Sequence, residues 1–305
     1  MLKEINVAYC FDKNLWRQMG VSVASLLSMS GGDFKYNIFA VVSADVDDAM
    51  KGQLRDIVKY CNPNAEIKFY TVNDDFYNPK LNHAQGYYYR LQIPNLIRDI
   101  DRIVYVDIDT VFNSDLFELY SMDMGGKLVF GVKDGLNLNH AWKKYQTKTD
   151  KKYIVQQGDY INSGVLLMNL KLMREEGVYK SLVSLVGERL RYKDQDMLNY
   201  VCRGRVGYLP LKYNFTPKAG HKYARMVREG IFTKSEVMDA VAHSVIIHFV
   251  NCNPWNKITK CCNRWWYFSE FTPFYKQFRR EFFARAGIVQ KVKFLIMPRW
   301  RRKYE

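Results

Sequence analysis

Residues 102–109, Arg-Ile-Val-Tyr-Val-Asp-Ile-Asp, run a strongly apolar stretch straight into two carboxylates. Ile103-Val104-Tyr105-Val106 is wholly β-branched or aromatic and suits a buried strand. Successive strand side chains alternate between faces. Asp107 and Asp109 should therefore project together as the chain leaves its sheet. Open α/β sheets bind ligands beyond the carboxyl ends of their strands. Two adjacent carboxylates there repel each other and lose hydration unless a cation neutralises them. A hard divalent ion such as Mg²⁺ or Mn²⁺ suits such oxygens. Taken alone, an Asp-x-Asp triplet is more often a solvated turn, so the reading rests on the rest of the chain.

The first 110 residues alternate strand and helix signals, the pattern of an α/β sheet. Ile5–Phe11, Tyr36–Val42, Ala65–Val72 and residues 102–107 read as strands. Leu15–Met29 and Asp47–Tyr60 read as helices, and Tyr87–Ile97 as a helix bent by Pro94. Gly126–Val132 is a further strand. Residues 133–159, rich in Lys, Asn and Gln, read as a long loop or lid. A buried strand follows at 160–170, then helical character over 171–190 and a short helix at Asp194–Cys202 with Asp194 as its N-cap. Val206–Asn214 and Val245–Val250 read as strands. Residues 1–263 form one expected domain, and 264–305 a basic, aromatic extension.

The chain has 305 residues and a net charge of +15, which points to an anionic partner. Residues 276–305 hold ten of the cations against Glu281 and Glu305, so the body is only mildly basic. No run reaches the roughly 18 apolar residues that span a bilayer, and the first strand starts without a signal-peptide core. The six cysteines form no CxxC pattern, so reduced, cytosolic thiols are expected.

Five landmarks occur in order: Cys10-Phe11-Asp12-Lys13-Asn14, Asp107-Ile108-Asp109, Asn162-Ser163-Gly164-Val165-Leu166, Lys193 through Asn199, and Ile246-Ile247-His248-Phe249. Tyr88-Tyr89-Arg90-Leu91 precedes the aspartate pair. Over residues 5–257 this set resembles the family 8 retaining glycosyltransferases. The resemblance implies a GT-A-like fold, a mixed and mainly parallel sheet flanked by helices. It also implies a uridine pocket at Cys10 (by its backbone), Asp12 and Asn14. The aspartate there can accept from the uracil imide and the amide can do both, although both residues suit a helix cap equally well.

Arg90, with its fixed fork of donors, matches a residue on the donor sugar, with a surface salt bridge as the plain alternative. Asp107, Asp109 and His248 match the metal ligands, with Ile108 between them at the nucleotide. A histidine in so apolar a run is otherwise a core residue. An imidazole beside two carboxylates favours Mn²⁺, with Mg²⁺ as the alternative; the ion would bridge the diphosphate and hold leaving-group charge. Asn162, Asp194 and Gln195 fall on the sugar side. Gln195 stands nearest the reacting face, where an amide is a poor nucleophile, so front-face attack is favoured. Asp196 stays open as a nucleophile or as a helix N-terminal acid. The family's Gly-x-x-Lys-Pro-Trp after the histidine is altered: Asn251 stands for the glycine, Asn253 for the lysine, and the loop is one residue shorter. Lys257, or the Lys218–Lys222 stretch, would supply the missing charge.

The implied activity is transfer of glucose or galactose from UDP-glucose or UDP-galactose to a hydroxyl of a cell-surface glycan of lipopolysaccharide or capsule type. An oligosaccharide or lipid-linked acceptor would lie under 133–159 and near Asn82-His83. A sugar-nucleotide hydrolase and a non-catalytic basic module are the rivals. The module leaves the aspartate clusters unexplained. Aromatics interleaved with cations after residue 264 suit an anionic membrane surface better than nucleic acid. The expected location is cytoplasmic, peripheral on the inner face of the membrane.

Overall fold

The computed structural model describes residues 2–31, 34–73, 75–76 and 85–298. Its centre is β1 (Lys3–Phe11), parallel to β2 (Phe34–Val42) on one side and to β4 (Arg102–Val106) on the other. β3 (Glu66–Thr71) extends the parallel set beside β2. β7 (Ile161–Asn169) runs antiparallel to both β4 and β6 (Val129–Lys133), and β8 (Val206–Tyr208) is parallel to β6. The order β3-β2-β1-β4-β7-β6-β8 is the expected mixed, mainly parallel sheet. A second sheet pairs β5 (Thr110–Phe112) antiparallel with β9 (Ile246–His248) and registers Thr110 against His248.

Strand alternation divides the core. Ile5, Val7, Tyr9 and Phe11 face one apolar cluster with α1 (Trp16–Met29) and α2 (Asp48–Cys61), whereas Ala8 and Tyr105 face another. α1 lies close against its neighbours. A Cβ on Gly20 would stand 3.1 Å from both Ile57 and Phe274. The Asp47 carboxylate caps α2 by accepting from the Met50 amide at 2.8 Å.

Four stretches depart from the sequence expectations. Residues 85–96 form a 3₁₀ segment (Gln85–Gln92) followed by one α-turn (Ile93–Leu96), with Pro94 in the first turn, where its missing N–H costs nothing. Residues 171–190 hold two short helices, Leu170–Glu175 and Val178–Val183, broken at Gly177, whose φ is +65°. The strand expected at 206–214 stops at Tyr208 and gives way to a 3₁₀ turn, Leu211–Asn214. The polar stretch 133–159 is no bare loop. It carries the helix Asn139–Gln146, and Leu136, Trp142, Tyr145 and Val155 pack with Tyr160 into a small core of their own.

The extension is helical over Cys262–Ser269, Tyr275–Arg285 and Ile288–Leu295, so residue 264 falls inside the first of these helices. Trp265 is 0% exposed, Trp266 3%, Phe278 2% and Phe282 2%, all within the core that contains α1. Most of the aromatic content of this stretch is therefore core. The apolar residues it does expose are aliphatic: Ile288, Val289, Val292, Leu295 and Ile296. No helix of the described residues is long and apolar enough to cross a membrane.

Candidate metal and donor site

β4 ends at Val106, and the Asp107 amide still donates to the Gly164 carbonyl at 2.8 Å, which holds the start of the aspartate turn against β7. The turn then enters β5. Because β5 pairs with β9, His248 arrives beside the two carboxylates from 140 residues away. Its Nε2 lies 3.2 Å from Asp109 Oδ1 and 3.6 Å from Asp107 Oδ2. One ligand atom from each of the three side chains falls within 4.8 Å of the others.

The tautomer of His248 follows from a chain of hydrogen bonds. The Gly164 N–H, which can only donate, meets the Asn162 Oδ1 at 3.0 Å and so fixes that amide. The same oxygen accepts from Asn214 Nδ2 at 2.8 Å, which leaves Asn214 Oδ1 facing His248 Nδ1 at 2.8 Å. Nδ1 must then carry a proton, and in the neutral ring Nε2 turns its lone pair toward the carboxylates. Burial alone would lower the His248 pKa, but the Asp109 carboxylate, its hydrogen bond and Asp107 reverse the sign and hold it above the ordinary value. Burial likewise works against ionisation of Asp109, and His248 outweighs it, so that this carboxyl sits below its ordinary range.

The donor set and the space fit a divalent ion. A Cβ on Gly164 would fall 2.2 Å from His248 Cε1 and 2.8 Å from Asp107 Oδ2, so the absence of a side chain there keeps the three ligands together. Two carboxylates and a neutral imidazole suit a transition ion.

Arg90 closes the next side. It projects from the 3₁₀ segment across the ring of Tyr105, 4.9 Å from its centroid. Its Nη2 lies 3.0 Å from Asp107 Oδ1 and its Nε 3.1 Å from Asp194 Oδ2, while Nη1 donates to the Ser163 carbonyl at 2.8 Å. The plain surface salt bridge is thus not what forms; the guanidinium is almost wholly enclosed. Asp194 shows the cost of that enclosure. Burial pushes its carboxyl up to about 6, against Arg90, with Asp107 adding to the rise. Asp194 opens the helix Asp194–Val201, and no side chain caps that helix at Lys193. Lys193 itself has φ +49°, a left-handed conformation unusual for lysine.

Gln195 lines the same cleft, and its Oε1 accepts from the Ser163 amide at 3.0 Å. Asp196 does not join it. Successive helix residues diverge by about 100°; this carboxylate points inward, 0% exposed, bonded to the Tyr160 hydroxyl and to the Tyr192 amide at 2.7 Å. Asn162 sits in the cleft and ties it to Asp134, 2.9 Å from its Nδ2. Ile108 is buried between the two ligands.

At the end of β1, burial pushes the Cys10 thiol well up, with the nearby Arg90 working against the rise and Asp107 and Asp194 adding to it. Asp12 Oδ1 accepts from the Asn14 amide at 2.8 Å, which closes a local turn; α1 has no side-chain cap. Lys257 is placed outside the metal cleft, in a neighbouring cavity with Lys218. Asn82-His83 lies outside the described residues. Asn251 has φ +53°, the conformation for which a glycine is the usual choice and asparagine the next.

Asn214, Ser163 and Tyr192 were not legible as site residues. Asn214 stood at the end of an expected strand, and only the folded chain brings it to His248.

The family model for glycosyl transferase family 8 matches residues 6–259. The chain belongs to that family. It is 25% identical over 274 residues to the lipopolysaccharide 1,2-glucosyltransferase of Escherichia coli K12, covering 83% of this chain and 73% of that protein. A putative glycosyltransferase of Haemophilus influenzae is 31% identical over 134 residues, 43% of this chain and 39% of its own length; the match thus spans well under half of that relative. Among solved structures, the galactosyltransferase LgtC in complex with donor and acceptor sugar analogues superposes with a TM-score of 0.67 at 22% identity, covering 95% of this chain and 99% of that one. The apo structure of the bifunctional glycosyltransferase WbbM gives 0.79 at 23%, covering 91% and 51%. The sheet and its flanking helices are the GT-A fold of these neighbours.

Two outcomes follow. Gly164→Ala should reduce Mn²⁺ affinity at least tenfold in a calorimetric titration, with the far-ultraviolet dichroism of the wild type retained. Unchanged affinity would show that the three side chains do not share one ion. For Asp194 the folded pKa lies above the unfolded one. Its stabilising contribution is therefore complete below about pH 4, the ordinary aspartate range, and is lost as pH rises through about 6. Metal-free wild type should gain stability relative to Asp194→Asn as pH falls from about 8 to about 4, read by denaturant unfolding. A gap that is constant over that range would contradict the placement.

Proposed function

We propose that the chain is a retaining hexosyltransferase that moves glucose or galactose from a UDP-sugar to a hydroxyl of a lipopolysaccharide- or capsule-type glycan. The observation that carries this reading is the meeting of Asp107, Asp109 and His248 beside the enclosed Arg90–Asp194 pair. The three ligands would hold Mn²⁺, with Mg²⁺ as the alternative, which when bound supplies positive charge for the donor diphosphate. The uridine would lie toward Cys10, Asp12 and Asn14, with Ile108 against the nucleotide. Arg90, Asn162 and Asp194 would hold the hexose hydroxyls and fix the anomeric carbon for attack.

Front-face attack is favoured over a glycosyl-enzyme. Gln195 offers no nucleophile, and its carbonyl oxygen is held by the Ser163 amide where it would lie against developing positive charge. The Asp196 carboxylate, held by Tyr160 and Tyr192, supports a structural role for that residue. Proton transfer from the acceptor hydroxyl would then go to the departing phosphate oxygen.

The tail gives the reading its location. Ile288, Val289, Val292, Leu295 and Ile296 recur at helical spacing and are exposed, and Arg279, Arg280, Arg285 and Lys293, near them in the sequence, are exposed too. Exposed apolar residues at that spacing, with cations near them in the chain, suit the interface of an anionic membrane, in keeping with a lipid-linked acceptor on the cytoplasmic face.

With UDP-glucose or UDP-galactose and candidate oligosaccharides, UDP release should require Mn²⁺ or Mg²⁺ and yield an α-linked product by NMR. Asp109→Asn should lower kcat/KM by a factor of about 100 or more, in line with loss of transition-state charge stabilisation. Metal-independent turnover, or a β-linked product, would refute the proposal. Separately, Val289→Asp combined with Leu295→Asp should abolish sedimentation with vesicles containing phosphatidylglycerol and leave transfer to a soluble acceptor intact. Undiminished vesicle binding would move the membrane contact elsewhere.

A further inference from the structure

Across Asn251 from the metal cleft lies a second cavity of about 400 Å³. Three lysines line it, Lys218, Lys257 and Lys260, and among the described residues no aspartate or glutamate does. Among the described residues none of the three forms an ion pair with a carboxylate; Lys218 Nζ donates to the Asn251 carbonyl at 3.1 Å. Three cations at one cavity repel each other. One ligand, an oxyanion, relieves that repulsion.

We propose that this cavity binds an anionic group, a phosphate, carried by the acceptor. The inference rests on the transferase reading, since an acceptor is what approaches the cleft from beyond the donor. The donor's own diphosphate has the same chemistry and is the competing source. In the transferase reading its charge is met in the other cleft by the divalent ion that Asp107, Asp109 and His248 would hold, and none of Arg90, Asp107, Asp109 or Asp194 lines the lysine cavity. Asn251 is common to both walls, so a glycan whose hydroxyl enters the cleft would rest its anionic substituent on the lysines. The substrate class narrows accordingly, from a neutral oligosaccharide to a phosphorylated one.

The test uses the full chain saturated with UDP and Mg²⁺, with glucose 6-phosphate and glucose as probes in calorimetric titrations. Glucose 6-phosphate should bind at least tenfold more tightly than glucose. Lys260→Gln should weaken it at least fivefold and leave the affinity for UDP unchanged, and Lys257→Gln/Lys260→Gln should remove the preference altogether. Absence of a preference for the phosphorylated sugar overturns the proposal. So does displacement by UDP of glucose 6-phosphate already bound to the UDP-free chain, which would assign the lysines to the donor diphosphate. If UDP and Mg²⁺ fail to bind the wild type, the transferase reading falls instead; glucose 6-phosphate binding to the free chain, lost in Lys260→Gln, would still uphold an anion site.

Discussion

Charge at the end of β4 governs the rest of this structure. Asp107 and Asp194 share a single guanidinium, Arg90, and Asp109 lies close beside Asp107. With His248 neutral, two negative charges are left over in an enclosed site. Burial of such groups is expensive, and the pKa values of His248 and Asp194 are both raised, so each of these groups takes up a proton more readily than it would in water. A divalent cation would do the same work without the protons, which is why metal and proton compete here. The surrounding folds serve that cluster. Gly164 leaves room for it, Tyr105 covers Arg90, and the Asn162–Asn214 amide chain orients the imidazole.

The two sheets divide the labour. The large sheet places Asp107 by the ordinary ladder between β4 and β7, so one half of the site is as rigid as the core. The two-stranded sheet brings in His248, and the Phe249 amide donates to the Asp109 carbonyl at 2.8 Å, so the second half is locked to the first by backbone rather than by side chains alone. A site built on strand ends in this way keeps its geometry when loops change. The loop after His248 holds Asn251 in a left-handed position, and Lys218, Lys257 and Lys260 line a cavity on its far side.

Legibility followed the physics of each segment. β1, β2, β4 and β7 are buried on both faces, so their sequences are nearly continuous apolar runs and could be read directly. Asp107 and Asp109 were legible from their spacing at the end of an apolar strand, although it is the turn from β4 into β5, not a strand period, that holds them together. Asp194 and Asp196 were not separable, because nothing in the sequence says which helix face turns to the cleft. The 133–159 stretch misled by composition: its surface is lysine and asparagine, while Trp142 and Tyr145 fill a core too small to impose a period. Tail aromatics misled in the opposite sense. Aromatic and basic residues in alternation look alike whether the rings face lipid or, as Trp265 and Phe278 do, the interior. His248 and its partner Asn214 depend on a pairing between distant strands, which only an ordered set of family landmarks could suggest.

Anomalous diffraction from crystals soaked with manganese and UDP tests the central claim most directly. A single manganese peak at bonding distance from Asp107, Asp109 and His248 Nε2, with diphosphate oxygens completing its coordination, is the predicted result. Manganese elsewhere, or UDP bound away from these three side chains, would contradict it.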